Sequence, residues 1–331
     1  MMSHLDQSSA AQHADLVRGA ATSSAPGRMA LAASWRRSLL HHHLDPQSLE
    51  RRPLLEARSL HIARQRAEDM LRLGTPLLDR LAAVSLGAGG AVFLADRDGQ
   101  ILDGRMHDSD GSYFSMAGLR IGSDWSESSE GTNAIGTCLA DGRPALISRD
   151  QHFFARNVPL TCIGAPIEAA DGSLAGVINV SSCQQEMSLV QMRLTAIAVQ
   201  EAARQIAMAL FQASFPKARL IILPGDPALG PSLVAVDRDD LVLGANRLAR
   251  RQLHVSAEDI ARHIPLGDLL AEDETGPRPD LARALRSEVT RALQRTGGNV
   301  ARAARDLGIG RATLYRKMKV LGLDHRPDEA Q

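Results

Sequence analysis

Aromatic residues make up only 3% of this 331-residue chain, as two Trp, two Tyr and six Phe. So small a supply argues against a protein that works by stacking on sugars or nucleobases. Three scattered cysteines cannot build a disulfide framework, which fits a reducing compartment. No apolar run reaches the roughly 18 residues that a membrane-spanning helix requires. The polar stretch 1–14 has no apolar signal-peptide core, so a cytoplasmic address with no membrane partner is expected. Net charge is missing as well, because 38 Lys+Arg balance 38 Asp+Glu.

What is present begins with a 44% hydrophobic content, enough for packed cores and too much for wholesale disorder. The length suggests two or three domains. The zero charge hides an asymmetry. Residues 281–326 carry eleven basic side chains against Glu288, Asp306 and Asp324, a net +8 that leaves −8 on the remainder. A basic end on a neutral chain points to a separate nucleic-acid-binding module.

Residues 1–28, rich in Ser, Ala and Gln, read as a disordered tail. A helix carrying Trp35 is expected over 29–43, and further helix over 54–86, broken or restarted at Pro76. Strands are expected at 91–96 and 100–103 around an Arg97-Asp98-Gly99 turn, then at 145–148, 160–168 and 173–181. Residues 185–213 form one long helical pattern, suited to pairing with a second subunit or bridging two domains. Strands at 233–237 and 241–246, a helix at 247–254 and a Pro/Gly linker at 273–280 follow. Asp96, Asp98 and Gly99 lack the other positions of a calcium loop, and on a helix His41, His42 and His43 diverge. Neither a metal nor a cofactor is expected.

In the basic segment, Leu285, Val289, Ala292 and Leu293 share a helical face that ends at Thr296-Gly297-Gly298. Asn299 is placed to cap a second helix lined by Val300, Ala303, Ala304 and Leu307. Gly308 supplies a turn, and Leu314, Met318 and Leu321 line a third helix loaded with Arg and Lys. Short helices joined this way make a helix-turn-helix. The run GGNVARAARDLGIGRATLYRKMKVLGL resembles the Fis-type helix-turn-helix of bacterial enhancer-binding proteins. The resemblance places Arg311, Thr313, Tyr315 and Arg316 at the DNA surface, and the spacing agrees, since these positions lie off the Leu314–Met318–Leu321 face. Arg302, Lys317 and Lys319 suit phosphate contacts, and Asn299 joins the candidate DNA-binding set. Gly310 stands where the family often has a polar residue.

Residues 29–183 resemble the GAF domain of the acetoin-catabolism regulator group, most specifically in GTNAIGT and in QHFFARNVPLTCIGAPIEAADGSLAGVINVSS. That implies an antiparallel sheet flanked by helices, with a small-molecule pocket on one face. Trp125, Thr132, Asn133, His152 and Cys162 are the candidate effector-binding residues. For Thr132 and Asn133 a loop-and-cap role is equally open, and for Trp125, Cys138 and Cys162 plain packing. Gln151 stands where the family usually has Glu. The run SLVAVDRDDLVLGANRLARRQL resembles the opening of a PAS domain, and 217–272 is too short for a complete one.

The expected architecture is therefore α+β: a disordered tail (1–28), a helical lead-in with the GAF domain and connecting helix (29–213), a truncated PAS-like segment (217–272), a linker (273–280) and an all-α helix-turn-helix (281–326). No G-x-x-x-x-G-K-[ST] run occurs, so the ATPase that enhancer-binding proteins carry is not expected. The expected function is effector-responsive, ATP-independent transcription regulation by a homodimer on an inverted-repeat operator in double-stranded DNA. No enzymatic activity is expected. Two other readings stay open: an architectural DNA-binding protein with a vestigial sensor, and a GAF-type thiol oxidoreductase using Cys138, Cys162 and Cys183.

Overall fold

The structure, a computed structural model, describes residues 4–23, 30–51, 53–85, 89–183, 187–226, 229–270 and 281–323. The expected linker at 273–280 lies outside them, as do the ends of the expected tail and of the helix-turn-helix segment.

The stretch expected to be a disordered tail holds helix α1 (His4–Thr22). Ala14, Val17 and Ala21, one helical face, are fully buried, the last two beside Trp35, Phe153 and Phe154. Its apolar face is narrow and built of small residues, so only the partner surface makes it worth ordering. α2 (Ala30–Arg36) runs on into a π-helical turn at Arg37–His41. α3 (Ala57–Arg66) and α4 (Glu68–Ser85) divide at Ala67 and not at Pro76, which lies inside α4. Pro76 and Arg72 are both on the solvent side, so the Arg72 carbonyl that loses its helical donor can be hydrated. Met70, Leu78 and Leu81 hold the other side of α4 on the core.

β1 (Gly90–Asp96) and β2 (Ile101–Met106) form a hairpin, followed by α5 (Asp108–Met116), the single turn α6 (Glu127–Glu130) and α7 (Ala134–Asp141). β3 (Ala145–Ser148), β4 (Thr161–Glu168) and β5 (Leu174–Ser182) complete an antiparallel sheet of order β2-β1-β5-β4-β3. Side chains alternate across it. Val92, Leu94, Ile163, Ala165, Ile178 and Val180 pack against α4 and the 26-residue α8 (Leu189–Ser214). Phe93, Cys162 and Val177 face the other way, under Phe114, Trp125 and Ile135 from the α5–α7 layer.

A smaller domain follows. β6 (Arg219–Leu223), β7 (Ser232–Val236) and β8 (Val242–Ala245) form an antiparallel sheet in that order, with α9 (Arg247–Gln252), α10 (Ala257–Ala261) and α11 (Leu266–Leu270). Val234, Val236, Val242, Leu253 and Ile260 give it a core of its own. β6, the short run Arg-Leu-Ile-Ile-Leu directly after α8, is an addition to the expected strands. The chain ends in α12 (Leu281–Arg295), α13 (Val300–Asp306) and α14 (Arg311–Val320).

Candidate functional site

The three terminal helices close on Val289, Ala292, Val300, Ala303, Leu314 and Met318. The Asn299 side chain accepts from the Arg302 amide at 3.0 Å, so its oxygen caps α13. Gly308, with φ 65°, turns the chain toward α14. Gly310 occupies the N-cap of α14 and offers no side-chain acceptor. With Leu314 and Met318 inward, α14 turns Arg311, Tyr315, Arg316 and Lys319 to solvent, while Thr313 and Lys317 are half-buried. The Arg311 guanidinium lies 5.6 Å from the Tyr315 ring centroid, one turn along the same helix. Arg302 is exposed on α13. Arg295, by contrast, is neutralised by Asp306 at 2.7 Å and Glu288 at 3.5 Å, which ties α12 to α13. Arg311, Arg316 and Lys319 stand on the outer face of α14 with no ion pair among the described residues, where phosphate and base edges could be met together.

In the larger domain the five candidate effector residues, Trp125, Thr132, Asn133, His152 and Cys162, are all buried. Trp125 is 1% exposed in the core, and its indole N–H donates to the Gly118 carbonyl at 2.9 Å. Asn133 caps α7 by accepting from the Gly136 amide, and its amide nitrogen donates to the carbonyls of Trp125 and Gly131. Gly131 has φ 58° and ψ −151°, a conformation for glycine, and a Cβ there would stand 2.6 Å from Phe153. A Cβ on Gly136 would approach the Glu127 amide to 2.4 Å. The GTNAIGT run is thus a close-packed loop and cap. Thr132 bonds the Ser34 hydroxyl at 2.7 Å. Cys162 does face the α5–α7 side, where its thiol lies 3.2 Å from the Ser181 hydroxyl. Asn179 donates to the same hydroxyl at 2.8 Å, and its own carbonyl oxygen is buried without a partner.

His152 is fully buried, and its Nδ1 lies 3.0 Å from the Arg149 carbonyl oxygen, which requires a proton on Nδ1. That leaves Nε2 as a buried acceptor with no partner. Burial pushes the ring's pKa down to about 4, so it is neutral near pH 7. His13 of α1 donates from Nε2 to the carbonyl of His152 at 3.0 Å, which pins α1 over this segment.

Two acids that the sequence did not single out organise the region. Glu127 is 5% exposed and accepts from Arg37 Nε at 2.6 Å and Nη2 at 2.9 Å, and from the Ser34 hydroxyl. Glu130 is 3% exposed and meets Arg51 at 3.0 Å, Arg156 at 3.1 Å and the Asn157 amide at 3.0 Å. Both join the N-terminal lead-in to the loop before α7. All three thiols are held protonated: burial raises Cys138, pushes Cys162 up to about 12 and raises Cys183. None is poised as a thiolate nucleophile. Among the described residues no group of three or more His, Cys, Asp or Glu could hold a metal, and no helix is long and apolar enough to cross a membrane.

Residues 69–210 match the GAF domain family, and residues 286–321 match the family described as bacterial regulatory protein, Fis family. The chain joins a GAF domain to a Fis-family helix-turn-helix. This GAF–Fis chain is 30% identical over 224 residues to the acetoin catabolism regulatory protein of Cupriavidus necator, covering 66% of this chain and 34% of that protein. It is 31% identical over 155 residues to the acetoin dehydrogenase operon transcriptional activator AcoR of Bacillus subtilis, covering 46% of this chain and 25% of that one. Over 153 residues it is 32% identical to the propane 2-monooxygenase operon transcriptional activator MimR of Mycolicibacterium smegmatis, covering 45% and 24%. The GAF–Fis chain thus spans about a third or less of the length of these curated relatives. Among solved structures, the crystal structure of the E. coli DhaR(N)–DhaL complex superposes with a TM-score of 0.51 at 18% identity, covering 69% of this chain and 78% of that chain. At that identity the likeness is one of fold. A GAF domain and a Fis-family helix-turn-helix thus lie in one chain, and the relatives named are transcriptional regulators.

Proposed function

We propose that the protein is a cytoplasmic homodimer that binds an inverted-repeat operator, and that a small molecule on the α5–α7 face of the GAF sheet shifts its operator affinity. The observation that carries this proposal is the outer face of α14, where Arg311, Tyr315, Arg316 and Lys319 stand exposed and Arg302 on α13 joins them. A recognition helix of one copy reads one half-site, and two copies related by a two-fold axis read an inverted repeat. On the sensor side, the buried unpartnered oxygen of Asn179, beside Ser181 and Cys162, offers the polar anchor; Trp125, Thr132 and Asn133 hold the wall in place, and His152 contributes a neutral acceptor. An effector acts by binding one arrangement of the dimer better than the other. No phosphate-cradling G-x-x-x-x-G-K-[ST] run lies between the two modules, so this chain acts without ATP hydrolysis.

Selection of duplexes from a random pool, followed by binding measurements on the winner and on a scrambled duplex, tests the DNA half of the proposal. Enrichment of a two-fold symmetric sequence is expected. Equal affinity for both duplexes, unaffected by any metabolite fraction, would favour the architectural alternative. Native mass spectrometry of the purified protein tests the sensor half, with retention of a small molecule that is lost in Asn179→Ala as the expected result.

A further inference from the structure

Where α8 leaves the large sheet, the small domain closes over a cavity of about 340 Å³ that also touches β4 and the turn between α7 and β3. Its floor is apolar, made by Ala165 of β4, Ala207, Met208 and Phe211 of α8, and Leu233 of β7. Its mouth is basic, with Arg143 from the α7–β3 turn, Arg204 from α8, and Arg247 and Arg251 from α9. One acid lines it: Glu168, at the end of β4, lies 3.6 Å from Arg247, and burial raises its carboxyl above the usual range. Arg204 is occupied on its own helix by Glu201 at 3.8 Å and by the Gln200 carbonyl. Arg143 and Arg251 are exposed, and among the described residues neither makes an ion pair or a hydrogen bond.

An apolar floor beneath two unpaired guanidinium groups suits an amphiphilic anion, with burial supplying affinity and the planar forks supplying orientation. We propose that this junction is a second ligand site, which takes a small organic acid: its apolar body, of about aromatic-ring size, lies against Phe211 and Leu233, and its carboxylate meets Arg143 and Arg251. The site is separate from the α5–α7 face, because Ala165 points to the opposite side of the sheet from Cys162. It stands whether or not that face binds an effector. Its walls come from the GAF sheet, from α8 and from the small domain, so occupancy ties together three elements lying between sensor and helix-turn-helix. An acid held there stiffens the path from one to the other.

The test uses the full chain, titrated by calorimetry with benzoate, phenylacetate and 3-phenylpropionate, and with the amide of each. At least one acid is expected to bind, with its amide about tenfold weaker or more. Arg143→Ala combined with Arg251→Ala should cost that acid about tenfold and leave the amide unchanged. Ala207→Phe, which fills the floor, should abolish binding of both. Should that variant fail to fold, the arginine pair still decides, since both side chains are exposed. Absence of binding by all three acids overturns the proposal, as does an unchanged affinity in the arginine variant. Loss of acid binding in Asn179→Ala without loss in the arginine variant would move the ligand to the other face of the sheet, and also overturns it.

Discussion

Glu127 and Glu130 sit three residues apart, and each holds a different part of the lead-in by a buried carboxylate. Removing one partner of such a pair leaves the other without compensation, at a typical cost of about 3–5 kcal/mol when both are buried. Arg37 is a third exposed, which lowers the expectation for Glu127→Ala to about 2–3 kcal/mol, read from urea unfolding. His152 gives a pH signature. Above about 6.5 its ring is neutral in folded and unfolded chains alike. Between about 6.5 and about 4 the unfolded chain takes a proton that the native chain refuses, so stability falls as pH falls through that window. Unfolding measured at several pH values should show a shallower acid-side slope in His152→Gln than in wild type. At the DNA surface two basic residues differ in kind. Arg311, in the first turn of α14, can bridge O6 and N7 of guanine, so Arg311→Ala should cost about 1–3 kcal/mol on the operator and relax one base pair per half-site. Lys319 lies near the other end of the helix, and Lys319→Ala should weaken all duplexes alike while lowering the salt slope by about one. Binding to operator and scrambled duplexes across a salt series separates the two. Wild-type behaviour of both variants would remove α14 from the interface.

At the scale of single elements, α13 and α14 start differently. α13 has an Asn cap, whereas α14 begins at Gly310, whose φ −67° and ψ 145° any residue adopts and where a Cβ would find only Thr313 Oγ1, at 3.7 Å. Asn299→Ala should therefore destabilise the helix-turn-helix by about 1 kcal/mol and weaken DNA binding without altering sequence preference, whereas Gly310→Ser should gain a few tenths. Thermal unfolding followed by circular dichroism checks both. α7 is constrained more severely. Its first turn sits so close to the α6 turn that position 136 admits no side chain, which explains why the run around Asn133 is rigid. Rigidity of that kind holds the α5–α7 layer over Cys162, Asn179 and Ser181 without lending its own polar atoms to a ligand.

For the whole molecule, α8 is the element that spans the parts. From Val199 onward it is buried against the GAF sheet and the small domain, through Val199, Ile206 and Phe211. Its N-terminal half leaves Leu189, Val190, Leu194 and Ile197 between 63% and 71% exposed. Four large apolar residues on two exposed turns are costly in a monomer and suit pairing with a second copy, as a two-half-site operator requires. Leu194→Glu with Ile197→Glu should shift the protein from dimer to monomer in light scattering and weaken operator binding while each half-site affinity is kept. A dimer that survives this change would place the interface elsewhere. At the far end, Arg291 of α12 pairs with Asp240 in the turn before β8, so the small domain touches both α8 and the DNA-binding helices.

The sequence by itself determined what depends on near neighbours along the chain. The apolar runs of β1, β4 and β5, the Asn299 cap, the Gly308 turn and the inward face of α14 are all settled within a few residues, because turn-bounded apolar runs, helix periodicity and capping are local physics. The composition and the charge step at 281 likewise separated the DNA-binding end from the rest. Tertiary structure alone decided what depends on distant partners. α1 is ordered only because Trp35, Phe153 and Phe154 offer its thin apolar face a surface, and Pro76 is tolerated only because it faces water. Glu127 can be buried only because Arg37, 90 residues earlier, folds back onto it. Trp125, Thr132 and Asn133 looked available for a ligand from their residue types, but the fold had already committed their polar atoms to backbone carbonyls, an amide and a hydroxyl. A side chain's free valences are counted only once every neighbour is in place, and the sequence does not name those neighbours.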